Sequence, residues 1–274
     1  MLTLNQLLEA FALPDSCRVD QRVPKKMLID NGAPTAADKR LLNDAIEGIQ
    51  WLAALKPNTV GVPEYRDEHR DYLEVAVLCV TVRSPQIAAD GGAAVEANKS
   101  TVKSANTTRL AELVHRAVPY PALLLLVAPQ GVYLSMAHKR GSQNEVGKVI
   151  LDGDVNTVEA TADLASEPQF LQALALTRQP QATLLAVYQG WMDCLTALQA
   201  ARYTGTFKTA DDPVHAAARR DALRECQRLE QESARLRALA VKEKQMAKQV
   251  DLNLALKRVQ ASLAATQQQL RGSP

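Results

Sequence analysis

The longest regular pattern of apolar and polar positions lies near the end of the chain, in residues 213–270. After Pro213 this stretch has no proline or glycine as far as Arg271, and residues of high helix propensity fill it. Apolar side chains recur in it at heptad spacing, which predicts a long, coiled-coil-like C-terminal helix that associates through a seam. The seam is expected to contain Leu229, Leu236, Met246, Val250, Leu256 and Leu263.

The heptad pattern is interrupted at residues 242–249, with the sequence KEKQMAKQ. Glu243 falls where the first register requires an apolar residue, and only Met246 and Val250 bridge the gap between the two halves. Such a break is typical of a bend, of an antiparallel helical return, or of a charged face kept for a partner. Spacing leaves these three open, but it favours a bent arm or a hairpin over a straight rod.

In the first 160 residues the apolar spacing switches between the periods of helices and strands. Segments 64–71 and 84–105 show neither period and are expected to form loops. The spacing predicts helices at residues 2–12, 34–55 and 107–117, and strands at 59–62, 72–83, 119–128, 132–140, 148–151 and 155–160.

The strand at 72–83 is rich in valine and nearly continuous in apolar character, so we expect it at the centre of a sheet. The next two strands are expected to pair as a hairpin around Gly131, and the last two as a second pair around Gly153. The pattern predicts an α/β fold: a mixed, largely antiparallel sheet flanked by helices, followed by a helical region and the long C-terminal helix.

Three domains follow from these boundaries. Residues 1–160 form the α/β domain, and residues 161–210, with helices at 168–176 and 184–203, form a helical extension that packs on it. Residues 211–274 form a long, amphipathic, basic helix or helical hairpin. Self-association through this last region is left open.

The net charge of +2 conceals an uneven distribution along the chain. Residues 214–271 contain twelve Lys and Arg against six Asp and Glu, whereas the remainder contains twenty against twenty-four. The basic helix is therefore expected to meet an acidic protein or a polyanion, unless it is an ordinary solvated surface.

The cysteines, the apolar runs and the N-terminus narrow the class of protein. The four cysteines lack the spacing of a zinc site or a disulfide framework, and no apolar run approaches the length of a bilayer span. The first residues lack the features of a secretory signal. We expect a cytoplasmic protein that uses no metal or cofactor and does not enter a membrane.

Candidate chemistry is sparse. The chain has no phosphate-binding loop, no dinucleotide-binding glycine motif and no nucleophile elbow, so no catalytic residue is assigned. His115 is expected to be a partly buried or surface histidine, and Cys79 a small core residue. Basic residues are the remaining candidates for contact with nucleic acid or a partner: Lys25, Lys26, His138, Lys139, Arg140, Lys242, Lys244 and Lys248.

Two alternatives concern nucleic acids. The segment 138–140, with Lys25 and Lys26 as neighbours, suits phosphate contact by a nucleic-acid-binding module, although such charges are also usual at strand edges. A sheet with Glu74 at the start of its strongest strand suggests a metal-dependent nuclease of the restriction-endonuclease type. The Glu-x-Lys motif of those nucleases is missing, because Val75 and Ala76 follow Glu74.

Several segments together resemble a bacterial family called domain of unknown function 4391. They are VPKK, IQWLAALKP, YLEVAVLCVTVR, AVPYPALLLL, SMAHKR and EKQMAKQVDLN, and the resemblance covers nearly the whole chain. One departure is the sequence Met-Ala-Lys at 246–248, where the family's motif has Phe-Asn-Arg.

The resemblance implies a companion of DNA helicases and DNA methyltransferases in bacterial defence gene clusters. We therefore expect a non-catalytic adaptor of a restriction-like or anti-phage system. Its partner would be a helicase, methyltransferase or nuclease subunit, and DNA contact is left open. The divergent nuclease and the plain nucleic-acid-binding module remain the alternatives.

Overall fold

The computed structural model describes residues 2–83, 96–143, 145, 148–160, 167–210 and 212–272. The chain divides into two units. The first comprises Met1–Asp163 and Leu171–Leu195, and the second comprises Leu164–Phe170 and Thr196–Pro274. Among the described residues, no helix combines the length and the apolar character that crossing a bilayer requires.

The first unit is built on a six-stranded sheet with the strand order β1-β2-β5-β6-β7-β10. Every neighbouring pair is antiparallel except β5 and β6, which run parallel. The predicted mixed, largely antiparallel sheet is thus confirmed. The six strands are β1 (Arg18–Arg22), β2 (Ile46–Leu55), β5 (Val75–Val82), β6 (Ala122–Ala128), β7 (Gly131–Met136) and β10 (Asn156–Ala160).

Two small antiparallel hairpins accompany the main sheet. One pairs β3 (Tyr65–Arg66) with β4 (Asp71–Tyr72), and the other pairs β8 (Lys139–Gly141) with β9 (Val149–Leu151). The prediction that β9 and β10 pair with each other is wrong, because β10 pairs with β7 in the main sheet. The predicted hairpin of β6 and β7 is confirmed, with Ala128 opposite Gly131 at its turn.

The core of this unit lies around β5 and β6, whose residues Val75–Val80 and 122–126 are buried. Strands that are buried on both faces read as continuous apolar runs, which explains why both were recognisable. Helix α5 (Glu96–Ala117) connects the two parallel strands and packs Leu110, Leu113 and Val114 into the core. The other helices of this part are α1 (Leu4–Phe11), α2 (Lys25–Gly32), α3 (Ala36–Ala45) and the short α4 (Pro57–Val60).

The predicted helix at 34–55 is wrong beyond residue 45, because the chain continues as strand β2. Register shifts in the pairing of β2 with β5, near Gly48 and between Trp51 and Ala53, place its first buried positions at 46, 49 and 53, ahead of the buried Ala54 and Leu55. Spacings of three and four result, and these imitate a helix.

Three further expectations differ from the structure. Residues 59–62 are not a strand, since α4 occupies Pro57–Val60. Of the expected loops, 64–71 contains parts of β3 and β4, and residues 96–105 belong to α5. Segment 84–95 of the second loop lies outside the described residues. The predicted helix at 107–117 is confirmed as the C-terminal half of α5.

The remaining helices are α6 (Glu167–Leu174), α7 (Leu184–Thr204), α8 (Pro213–Lys242) and α9 (Met246–Gly272). The helix predicted at 213–270 is therefore two helices, and its interruption falls at residues 243–245. Asp212 caps α8, because its carboxylate accepts hydrogen bonds from the backbone N–H groups of Val214 and His215. Leu270 packs beside Leu223, and Gln249 bonds to Ala240, so α8 and α9 form an antiparallel hairpin.

Candidate functional site

The hairpin of α8 and α9 has two parts with different surroundings. We call residues 237–258, around its turn, the distal half, and residues 213–236 with 259–272 the proximal half. The proximal half has a buried apolar cluster to which a third helix, α7, contributes. This cluster contains Ala200, Leu223, Cys226 and Leu270, with Tyr203, Ala222 and Leu263 partly buried against it.

Polar contacts reinforce the proximal half. The Arg271 Nε donates to the Tyr203 carbonyl oxygen at 3.0 Å, and the Tyr203 hydroxyl donates to Glu230 Oε1 at 3.1 Å. These contacts link the end of α7 to both helices of the hairpin. The proximal half is therefore a three-helix arrangement whose apolar seam is covered.

The charges of the proximal half compensate each other along α8. Arg228 and Arg235 lie 2.7 Å from the carboxylates of Glu225 and Glu232, three residues earlier in each case. A similar pair, Arg224 with Asp221, is separated by 3.5 Å. Exposed pairs of this kind contribute at most about 1 kcal/mol each. Their consequence here is that much of the positive charge is matched locally.

The distal half has an excess of positive charge. Glu243 and Asp251 are its only acids, against six basic residues. All six are exposed, and none forms an ion pair within the part of the chain that the structure describes. They are Arg237, Lys242, Lys244, Lys248, Lys257 and Arg258.

Exposed apolar side chains concentrate in the same half. Of the ten large apolar side chains that are exposed among the described residues, five lie between residues 239 and 254. Val241 and Met246 are the most exposed of the five, at 80% and 76%. The other three are Leu239, Val250 and Leu254. Apolar groups grouped in this way mark interaction surfaces more often than singly scattered ones.

A groove of about 600 Å³ lies between the two helices at this end, and we call it the distal groove. Leu239, Leu252 and Ala255 form its apolar lining, and Lys242 and Lys248 contribute ammonium groups. Glu243 and Asp251 also line it. The groove thus offers an apolar strip beside exposed cations.

Hydrogen bonds fix the reversal at residues 243–245. The Glu243 N–H donates to the Leu239 carbonyl oxygen at 3.0 Å, and the Gln245 N–H donates to Glu243 Oε1 at 2.9 Å. Across the hairpin, Gln249 Nε2 donates to the Ala240 carbonyl oxygen at 3.3 Å. These bonds satisfy carbonyl groups that would otherwise end α8 unpaired, and they hold the three lysines of the turn on a defined backbone.

The six seam residues do not share one environment. Leu229 and Leu236 are buried, and Leu256 and Leu263 are half-buried. Met246 and Val250, which were expected to bridge the two half-seams, are exposed instead. Their role in association with another chain stays a prediction.

Lys139, the central member of the predicted basic segment 138–140, is only 3% exposed. Its Nζ donates to the carbonyl oxygens of His115 and Val118, at the C-terminal end of α5, the first at 2.6 Å. Burial lowers the pKa of this amine to about 7. Because the side chain is enclosed and its acceptors are internal, we withdraw Lys139 from the set of expected surface contacts.

The neighbours of Lys139 are also engaged within the fold. His138 lies 2.5 Å from the Tyr72 hydroxyl through Nδ1 and 3.0 Å from Gln189 Oε1 through Nε2. Arg140 is 3.6 Å from the carboxylate of Asp152, an acid that it shares with Arg70. The segment thus forms hydrogen bonds and an ion pair within the fold and is not an open basic patch.

Lys25 and Lys26 differ from each other. The Lys25 Nζ donates to the Ile46 carbonyl oxygen, and burial, followed by repulsion from Arg83 and Arg22, lowers its pKa. Lys26 is exposed. Lys25 lines a cleft with residues 22–24, 48 and 49, which none of the residues 138–140 enters. The expected neighbourhood of the two basic segments stays a prediction.

His115 is buried completely, contrary to the expectation of a partly buried or surface histidine. Its Nε2 lies 3.1 Å from the Ser135 hydroxyl, which lies 2.9 Å from the Thr157 hydroxyl. Burial, and then the charge of Lys139, hold the pKa of His115 well below its ordinary value. Cys79 is buried in the core as expected.

Glu74 is the acidic residue on which the nuclease alternative depends. Its carboxylate pairs with Lys56 at 3.1 Å, between the neighbouring strands β2 and β5. In the described part of the chain, no group of three or more His, Cys, Asp or Glu residues is placed to hold a metal ion.

Sequence reasoning missed half of the distal surface: Arg237, Lys257 and Arg258 among the cations, and Leu239, Val241 and Leu254 among the apolar residues. A usable signal existed for the cations. The three arginines at 224, 228 and 235 each follow an acid by three residues, whereas Arg237 and Lys257 have no acid three or four residues before them.

The fold and this surface define an α/β protein that carries a basic, partly apolar helical hairpin. The chain belongs to the family described as a domain of unknown function (DUF4391), whose model matches residues 11–263. The resemblance noted from the sequence is thereby confirmed. No match was found among the curated proteins or the solved structures with which the chain was compared.

Proposed function

We propose that this protein is a non-catalytic adaptor that binds a partner protein through the distal half of its helical hairpin. The observation that carries the proposal is the coincidence, within residues 237–258, of five exposed apolar side chains and six cations that form no ion pair with any residue that the structure describes. A partner surface with an apolar groove and acidic borders would match both features. Complementary charges of this kind favour the correct partner and speed association.

The apolar component favours a protein partner over nucleic acid. Contact with phosphates needs cations, and base stacking needs aromatic rings, but residues 237–258 contain no aromatic side chain. Burying a fully exposed large aliphatic side chain contributes about 1.5–3 kcal/mol. Val241 and Met246 are mostly exposed, so their burial against a protein would add appreciably to affinity.

The family resemblance supplies the kind of partner. Members look like companions of helicases and DNA methyltransferases in bacterial restriction or anti-phage gene clusters. We therefore propose a helicase, methyltransferase or nuclease subunit of such a system as the partner, with the hairpin as the connecting arm. DNA held by that partner would lie near lysines of the hairpin turn, which is a secondary part of the proposal.

The test is co-purification of the full chain with the helicase, methyltransferase or nuclease subunits encoded beside it. Val241→Gln combined with Met246→Gln removes the two most exposed apolar groups of the distal half. We expect the affinity for the partner to fall at least tenfold, because buried apolar contacts to both side chains are lost.

The matched control is Val214→Gln, since Val214 is 76% exposed but lies at the start of α8, in the proximal half. It should leave partner binding unchanged, and all variants should melt at the wild-type temperature. Undiminished partner binding by the double variant would contradict the proposal.

The six cations favour one second candidate, a nucleic-acid-binding module. It requires duplex DNA affinity that falls steeply with salt, and that falls further when Lys242, Lys244 and Lys248 are changed to Gln. Under this alternative, Val241→Gln with Met246→Gln would have little effect on DNA binding. The two sets of variants thus separate the candidates.

A further inference from the structure

The two halves of the hairpin differ in the number of helices that pack together. In the proximal half, Ala200 and Tyr203 of α7 cover the seam between α8 and α9. The cluster to which they belong also contains Ala222, Leu223, Cys226, Leu263 and Leu270, all of which lie in the proximal half. Helix α7 ends at Thr204. Within the part of the chain that the structure describes, α7 therefore packs against the proximal half of the seam.

In the distal half, the apolar face that a third helix would cover is exposed as far as the described residues are concerned. Two residues that line the distal groove are not fully buried: Leu239 of α8 is exposed, and Leu252 of α9 is half-buried. In the proximal half, α7 covers the apolar seam of the same two helices. Burying such a face against another helix is how amphipathic helices usually gain stability. The groove thus continues a packing arrangement that the protein already uses.

We propose that the partner contributes an amphipathic helix that lies in the distal groove and completes a three-helix bundle there. Its apolar face meets Leu239 and Leu252, and acidic residues on its flanks meet Lys242 and Lys248. The inference rests on the proposed function in that it gives the chemistry of the element that the hairpin binds. Helix-in-groove docking is a recurrent way of recognising a partner segment.

Charge identifies the occupant as a partner helix and not a second copy of the hairpin. The distal half carries six basic residues against two acids, so two copies packed face to face would bring like charges together. Acidic flanks on the incoming helix remove this conflict. Residues 246–258 of α9 span about 20 Å at ~1.5 Å per residue, so about two heptads of the partner suffice.

A synthetic peptide can stand in for the partner helix. The probe is a labelled peptide of three heptads with Leu at the a and d positions and Glu at e and g, whose like charges prevent self-association. One control peptide carries Lys at e and g, and another carries Gln at a and d. Fluorescence anisotropy with the full chain should show the Glu peptide binding at least tenfold more tightly than either control.

Variants of the full chain complete the test. Lys242→Glu combined with Lys248→Glu should weaken the Glu peptide at least tenfold and strengthen the Lys peptide, since the charge match is exchanged. Lys39→Glu, at an exposed lysine of α3, should change neither affinity. Because the substituted side chains are exposed, the fold should persist, and circular dichroism verifies this.

Several outcomes would overturn the inference. They are no binding of the Glu peptide, equal binding of the Glu and Lys peptides, binding of duplex DNA without binding of the Glu peptide, or a wild-type dimer that Val241→Gln with Met246→Gln dissociates. If that double variant loses the natural partner but the Glu peptide does not bind, the adaptor function is supported and the three-helix bundle is refuted. If the Glu peptide binds but the double variant still binds the natural partner, binding of an acidic helix in the groove is supported and the proposed adaptor function is refuted.

Discussion

Two sets of basic residues stand out in the sequence, and the protein uses them in opposite ways. In the first set, Lys139 and Lys25 donate to backbone carbonyl oxygens, and Arg140 shares the carboxylate of Asp152. In the second set, Lys242, Lys244 and Lys248 are exposed and form no ion pair within the described residues. The first set bonds within the fold, whereas the side chains of the second set are exposed.

The difference follows from what each backbone environment offers. The last carbonyl groups of a helix have no partner inside the helix, and a nearby ammonium group satisfies them. Lys139 reaches such groups at the end of α5, at His115 and Val118. At the hairpin turn, N–H groups of Glu243 and Gln249 already occupy the carbonyls of Leu239 and Ala240, so the lysines there keep their donors.

The largest expected effect concerns the titration of Lys139. Its folded pKa of about 7 lies below the ~10.4 of an unfolded lysine, so between these pH values the unfolded chain binds more protons. The free energy of unfolding therefore rises with pH in this window, by up to about 5 kcal/mol at ~1.4 kcal/mol per pKa unit. Below pH 7 both states are protonated and the full penalty is present.

Lys139→Met removes this dependence. Urea unfolding at several pH values from 6 to 10 should give a stability that rises with pH more steeply for the wild type than for the variant. Lys26→Met, at an exposed lysine, should follow the wild type. If the free energy of unfolding depended on pH in the same way for the wild type and Lys139→Met, the pKa of Lys139 would not be lowered in the folded protein.

The same contrast extends to the apolar residues of the hairpin, with a somewhat smaller effect. Leu236 is 6% exposed and Leu254 is 50% exposed. Leu236→Ala should lower the free energy of unfolding by about 2–4 kcal/mol, because a cavity forms and buried apolar area is lost. Leu254→Ala should cost less than about 1 kcal/mol. Urea titrations of both variants test this, and equal losses would mean that the two halves are packed alike.

The sequence predicted the fold where the residue pattern reflects burial directly. Strands β5 and β6 read as continuous apolar runs because both of their faces are covered, and the break in the C-terminal helix was visible in its heptads. Strand β2 was missed because bulges change its spacing, and a bulge depends on pairing with β5, which no local pattern contains. The start of α5 was missed because residues 96–105 have no apolar period.

The candidate site was predictable only in part, for a related reason. The lysines of the hairpin turn could be found because the interruption of the heptads drew attention to them. Lys139 looked equally promising, since a sequence does not reveal that the end of α5 offers two carbonyl acceptors to this side chain. Tertiary packing decides which charged side chains form hydrogen bonds or ion pairs inside the fold. The spacing of residues along the chain contains little of this information.

The smallest expected effect concerns the three exposed lysines of the hairpin turn. Replacing Lys242, Lys244 and Lys248 by Gln should change the free energy of unfolding by less than about 0.5 kcal/mol, because exposed residues without partners contribute little to stability. Arg235→Gln is the matched comparison, since it breaks the bidentate pair with Glu232 and should lower the free energy of unfolding slightly. Added salt should shrink the Arg235 effect, because it screens exposed ion pairs. Urea unfolding at low and high salt measures both, and a loss above about 1 kcal/mol in the triple variant would mean that the turn lysines serve the fold after all.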